Sequence, residues 1–99
     1  MFRCEYQGVK IEVEFSDHAF KRVNQRGLNH VAVFGSIVAA LDHVLNLKNG
    51  EEFCVIDKDA CCTTVCGMEF QGETLVISVI TVVNTLYTYT KDGQKMITI

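Results

Sequence analysis

Residues 9 to 15, VKIEVEF, alternate strictly. Val9, Ile11, Val13 and Phe15 take one face and Lys10, Glu12 and Glu14 the other, the period of a half-buried strand. FRCEY before it reads as a partner strand, and Gln7-Gly8 as the turn between them, giving an N-terminal hairpin. The period then lengthens. Ser16 suits a helix N-cap, and Phe15 and Phe20 occupy hydrophobic-staple positions. Gly27 suits the left-handed position after a helix, with Leu28 folded back on Val23. A first helix over residues 17–26 follows, with Ala19, Phe20 and Val23 facing inward.

Asn29 can cap a second helix that runs through VAVFGSIVAALDHVLNL to a stop near Asn49-Gly50. From Val31 to Leu41 this segment is apolar nearly all round, bracketed by His30, Asp42 and His43. The run is too short to cross a bilayer, so no membrane segment is expected. A helix apolar on every side is normally buried on every side. One face can lie on a sheet; the other needs the first helix or a second subunit. The expectation is a homodimer formed through helix 29–49.

From residue 51 the pattern is that of strands. EEFCVID, ACCTTVCGMEF and TLVISVITVV are rich in Val, Ile, Thr and Phe, separated by Asp57-Lys58-Asp59 and Gln71-Gly72. TLVISVITVV is apolar on both faces and reads as a central strand. LYTYT and KMITI follow, joined at Lys91-Asp92-Gly93, where Asp-Gly signals a hairpin. The predicted fold is α+β: an N-terminal hairpin, two helices, then an antiparallel β-meander with the helices packed on one sheet.

Composition narrows this picture. The 99 residues contain no proline and no linker-like tract, so residues 1–99 read as one domain. At 48% hydrophobic residues the chain can bury roughly 60–70% of its unfolded surface without a staple. Five cysteines are an odd number, and MFRCEYQGVK has no apolar run behind its charges, so a reducing cytoplasm is the expected compartment. A net charge of −3 argues against a protein that coats nucleic acid, yet leaves room for a small basic site. No glycine-rich phosphate loop, Ser/His/Asp order or dinucleotide fingerprint is present, and no cofactor is expected.

The basic site, if there is one, lies on the first helix. Lys21, Arg22 and Arg26 are three of nine Lys/Arg residues. Positions 18, 22 and 26 drift by only about 40° per step, so His18, Arg22 and Arg26 form one stripe away from the inward residues. An arginine fork matches two oxygens of a phosphate or carboxylate. His18 stands in the first turn, where orphan N–H groups disfavour an imidazolium, and a neutral histidine can act as a general base. The plainer reading is a solvated helix face, with Arg26 complementing the helix dipole.

Other residues carry weaker signals. His30 is a candidate second acid/base or substrate-binding residue, and equally a surface residue of the first turn. His43 can simply favour the negative end of its helix. Tyr87 and Tyr89 share a strand face and can stack on bases or pack on a partner. Cys61, Cys62 and Cys66, with Cys54 nearby, lack paired C-x-x-C spacing and read as ordinary thiols, with no metal site. Thr81 follows Leu75, Ile77 and Val79 on one strand face and reads as a satisfied strand threonine.

The run HAFKRVNQRGL, His18 to Leu28, resembles the opening signature of a bacterial family of small DUF-type domains, His-Ala-x-x-Arg-x-x-x-Arg-Gly-Ile/Leu. In that family a second helix and strands follow, the last ending in a Thr-Val-Tyr-like segment. Here ITVVN, residues 80–84, takes that place with Thr81 as the matching threonine. Val83 stands where an aromatic is common, and a further hairpin over 86–99 follows. The family is similar in layout to the barnase–EndoU–colicin–RelE group of metal-independent ribonuclease toxins. The resemblance implies an RNA phosphodiester cleaved by its neighbouring ribose hydroxyl. His18 would move the proton, Arg22 and Arg26 would stabilise the phosphate charge, and Thr81 would be a donor from the sheet. Lys21, His30, Tyr87 and Tyr89 would bind substrate, and an antitoxin or immunity protein would be the partner. The alternative is a non-catalytic homodimeric interaction module of bacterial or mobile-element origin. An enzyme should line a recess with the stripe; a module should leave it on an open, convex face.

Overall fold

Strand β1 (Phe2–Tyr6) and β2 (Val9–Phe15) form the expected hairpin, with Gln7 and Gly8 both at positive φ in the turn. These and the elements below come from a computed structural model that describes residues 1–84 and 95–99. After β2 come α1 (Asp17–Gln25), α2 (His30–Ala39) and a one-turn α3 (Leu41–Val44). Then follow β3 (Glu52–Asp57), β4 (Cys62–Gln71), β5 (Thr74–Val83) and β6 (Lys95–Thr98). The predicted strand LYTYT, with Tyr87 and Tyr89, lies outside the described residues.

The fold is α+β, but the sheet is mixed rather than an antiparallel meander. Among the described residues its six strands run in the order β1-β2-β5-β4-β3-β6. The pairs β1–β2, β3–β4 and β4–β5 are antiparallel, as short turns require. β2 runs parallel to β5, with Ile11 opposite Leu75 and Val13 opposite Ile77, and β6 runs parallel to β3. Those two pairings join strands far apart along the chain, and no turn between them sets their direction. β5 is central, as its two apolar faces predict.

Local signals at α1 hold in detail. Ser16 Oγ accepts from the Ala19 N–H at 3.0 Å. At the other end the Leu28 N–H donates to Val23 O and the Gly27 N–H to Asn24 O, a Schellman ending with Gly27 at φ 66°. Asn29 caps α2 through the Val31 and Ala32 N–H groups. The single helix predicted over 29–49 instead breaks at Ala40, whose φ of −93° and ψ of −4° tighten the last turn. The break turns the chain so that Leu41 and Val44 are both fully buried. It also brings Asp42 to the Tyr6 hydroxyl, which donates to its carboxylate.

The helices cover one face of the sheet. Ile11, Val13, Leu75, Ile77, Val79, Cys66, Met68, Phe53 and Val55 meet Ala19, Val23, Val33 and Ile37 in one core. Among the described residues, no helix is long and apolar enough to cross a membrane.

Candidate functional site

The first residue of the stripe, His18, is exposed in the opening turn of α1. Arg22 Nε approaches its Nε2 at 3.4 Å, and Arg22 Nη1 donates to Gln25 Oε1 at 3.3 Å. A guanidinium only donates, so in this long, weak contact the imidazole nitrogen is the acceptor. Lys21 is exposed beside them.

Arg26 does not join this pair. It stands at the C-cap of α1, and its Nη1 donates to Asn84 Oδ1 at 2.9 Å, just past the end of β5. Its Nε is buried with no hydrogen-bond partner among the described residues. The sequence places the three side chains four residues apart, but the last is drawn off by a tertiary contact. The stripe thus divides into His18–Arg22–Gln25 on the helix and Arg26–Asn84 at its end.

Thr81 faces away from the stripe. β4 and β5 pair with a bulge: Cys66 lies opposite Val79 but Val65 opposite Thr81, so Ile80 is an extra residue. The bulge reverses the alternation that would have set Thr81 with Leu75, Ile77 and Val79. Val82 enters the helix-covered core instead, and Thr81 turns to the opposite face. Ser16 marks the same irregularity from the helix side, with its N–H on Val79 O and its hydroxyl on Ile80 O at 3.2 Å.

His30 packs between two phenylalanines rather than beside the arginines. Its ring lies 4.2 Å from the Phe20 centroid and 5.3 Å, edge-on, from Phe15. Its Nε2 is buried with no hydrogen-bond partner among the described residues. Phe20, expected inward, is instead 52% exposed and lies over this histidine. The staple positions are therefore bridged by an imidazole. Cys62 and Cys66 point into the helix-covered core with Thr64 and Met68, while Cys54 pairs opposite Val65 on the other face. None of the five cysteines is in a disulfide.

None of His18, Lys21, Arg22, Arg26 or Thr81 lines either of two concavities formed by the described residues. The larger, about 560 Å³, lies between α2 and the β3–β4 turn and is walled by Gly35, Ser36, Asp57 and Asp59. Ser36, buried inside the apolar helix, donates its hydroxyl to Asp57 Oδ2. That hydroxyl and the Ala60 N–H hold the Asp57 carboxyl below the usual carboxylate range, against the opposing effect of burial. This pair is nearly silent in the sequence. Its one signal is a lone polar residue in the middle of an apolar run, which needs a buried partner.

The outward side of α2 is the other feature of this region. Val33, Ser36 and Ile37 are its buried residues. Val31 is 64% exposed, and Ala32, Gly35 and Ala39 are exposed with it. No family model, curated protein or solved structure matches the chain.

Proposed function

We propose that this domain is a non-catalytic interaction module that works through the outward side of α2. One observation carries the reading: α2 has no charged residue from Val31 to Ala39, yet it buries only Val33, Ser36 and Ile37 and leaves Val31, Ala32, Gly35 and Ala39 exposed among the described residues. Contiguous apolar surface that folding leaves uncovered marks a contact site. The open disposition of His18 and Arg22, with Arg26 engaged elsewhere, agrees with this reading. In it the basic residues keep the surface soluble or meet an acidic partner. The odd cysteine count and free thiols suit a reducing cytoplasm.

A second reading is a ribonuclease-like or toxin-related domain acting on an RNA phosphodiester, countered by an antitoxin or immunity protein. The observation in its favour is the Arg22 guanidinium at His18 Nε2, which sets an anion-binding group beside a side chain able to move a proton. Incubation of structured RNA with purified wild-type protein and with His18→Ala separates the two. The module reading expects no difference between them, and cleavage that vanishes with His18→Ala would sink it.

A further inference from the structure

We infer that Asn49 is a covalent modification site, whose side-chain amide converts to a carboxylate by reaction with the backbone nitrogen of Gly50. The fold suppresses that reaction until the turn before β3 lifts off β4. The site holds whichever reading of α2 and His18 is correct.

The chemistry starts in the sequence. Of five asparagines, Asn49 alone is followed by glycine, and Asn49 and Gly50 are both exposed to water. Asparagine is a thermally labile residue, and a glycine after it has no side chain to hinder its backbone nitrogen. That nitrogen, stripped of its proton, attacks Asn49 Cγ. A succinimide ring forms as the bond from Cγ to the side-chain nitrogen breaks and ammonia leaves. Water then opens the ring at either carbonyl. Opening at Cγ restores the ordinary backbone with an aspartate at position 49. Opening at the main-chain carbonyl gives isoaspartate, in which the backbone runs through the former side chain and gains a carbon.

The structure engages both reacting groups. The Gly50 N–H donates to Met68 O at 3.0 Å, and the Phe70 N–H donates to Asn49 Oδ1 at 2.7 Å. Met68 and Phe70 are alternate residues of β4, so their carbonyl and N–H line the same edge. Next to them the Met68 N–H donates to Glu51 O at 3.2 Å, and regular pairing begins with Glu52 opposite Gly67. The Asn49 side chain thus stands in for the main-chain carbonyl that a longer β3 would offer to Phe70. The proton that Gly50 must lose is engaged by Met68 O, and the carboxamide it must attack is anchored at Phe70. Ring closure therefore waits for local opening of the turn. Afterwards the turn fits less well. Isoaspartate draws the former side-chain carbonyl into the backbone, and its extra carbon shifts Gly50 relative to Met68. Either product also adds a negative charge next to Gly50, which walls a concavity of about 310 Å³ together with Glu52 and Glu69. Like charges there oppose redocking, so the modification works as a one-way latch.

Peptide mass spectrometry of the whole chain, kept in warm, mildly alkaline buffer with and without concentrated guanidinium chloride, tests the site. Conversion at Asn49 should be at least about tenfold slower in the native protein than in denaturant. Phe70→Pro removes the N–H that anchors Asn49 Oδ1 and should raise the native rate severalfold, with circular dichroism retained. Hydrogen exchange of the wild type gives an answer even if that variant does not fold, because the Gly50 and Phe70 amides should both be protected. Absence of conversion in denaturant overturns the inference, as does native conversion at the denatured rate. Unprotected Gly50 and Phe70 amides overturn it too, as does a folded Phe70→Pro form that reacts at the wild-type rate. Aged protein with isoaspartate at position 49 should exchange both amides faster and melt at a lower temperature. Unchanged protection in the aged protein overturns the latch.

Discussion

Ser36 donates its hydroxyl to the Asp57 carboxylate, tying the middle of α2 to the end of β3. Because Ser36 is buried and Asp57 is held in its ionised form, this bond has a definite pH signature. The folded-state pKa of Asp57 is depressed, so its contribution is fully present above the unfolded value of about 3.9 and fades as pH falls through the lower folded value. Ser36→Ala should cost about 1–2 kcal/mol at neutral pH. Urea unfolding of both proteins as a function of pH should show that gap narrowing below about pH 4. A gap that holds constant into stronger acid would contradict the assignment.

Gly27 and Gly35 should respond in opposite directions to the same change. Gly27 sits at φ 66° in the Schellman turn, where a Cβ is strained, so Gly27→Ala should lose about 1 kcal/mol. Gly35 is in ordinary helical backbone with open space around it, and Gly35→Ala should gain about 0.5–1 kcal/mol in the monomer. Denaturation at sub-micromolar protein reads both.

Thr64 is fully buried in the helix-covered core, and its hydroxyl has no hydrogen-bond partner among the described residues. Replacing a buried, unpaired hydroxyl with a methyl group removes a desolvation penalty. Thr64→Val should therefore stabilise the domain by about 1 kcal/mol, seen as a higher thermal midpoint. Destabilisation would show that the hydroxyl is satisfied in solution.

The thiols should label in order of burial. Cys61 is exposed in the turn before β4, whereas Cys66 is fully enclosed, and burial, with a smaller push from nearby Cys54, raises its thiol well above the ordinary range. Burial raises the Cys54 and Cys62 thiols as well. Iodoacetamide on the native protein, followed by peptide mass spectrometry, should find Cys61 modified first and Cys66 only after unfolding.

What could be read from sequence was local. Ser16, Asn29 and Gly27 act on backbone groups within a few residues, and each makes the bond its chemistry predicts. The β3–β4–β5 order follows from turns equally near at hand. Features set by distant partners were not legible. The parallel joining of β2 to β5 depends on where the helices carry the chain, not on a turn. Ile80 looks like any residue of an alternating strand, yet as a bulge it reverses Thr81. Arg26 fits the four-residue spacing of the stripe, but Asn84, far along the chain, captures it. His30 carried a possible chemical role in sequence and turns out to fill the space between Phe15 and Phe20.

The junction of β2 with β5 has a consequence for how the chain survives damage. β5 carries valines and isoleucines on both faces, and along one side the stretch from Thr74 to Val79 pairs with Lys10 to Phe15. If proteolysis or slow docking removed the first fifteen residues, a long, uncharged strand edge would lie bare to other molecules. The N-terminal hairpin thus acts as a guard rail, and its loss should show itself as precipitation before any change in the helices.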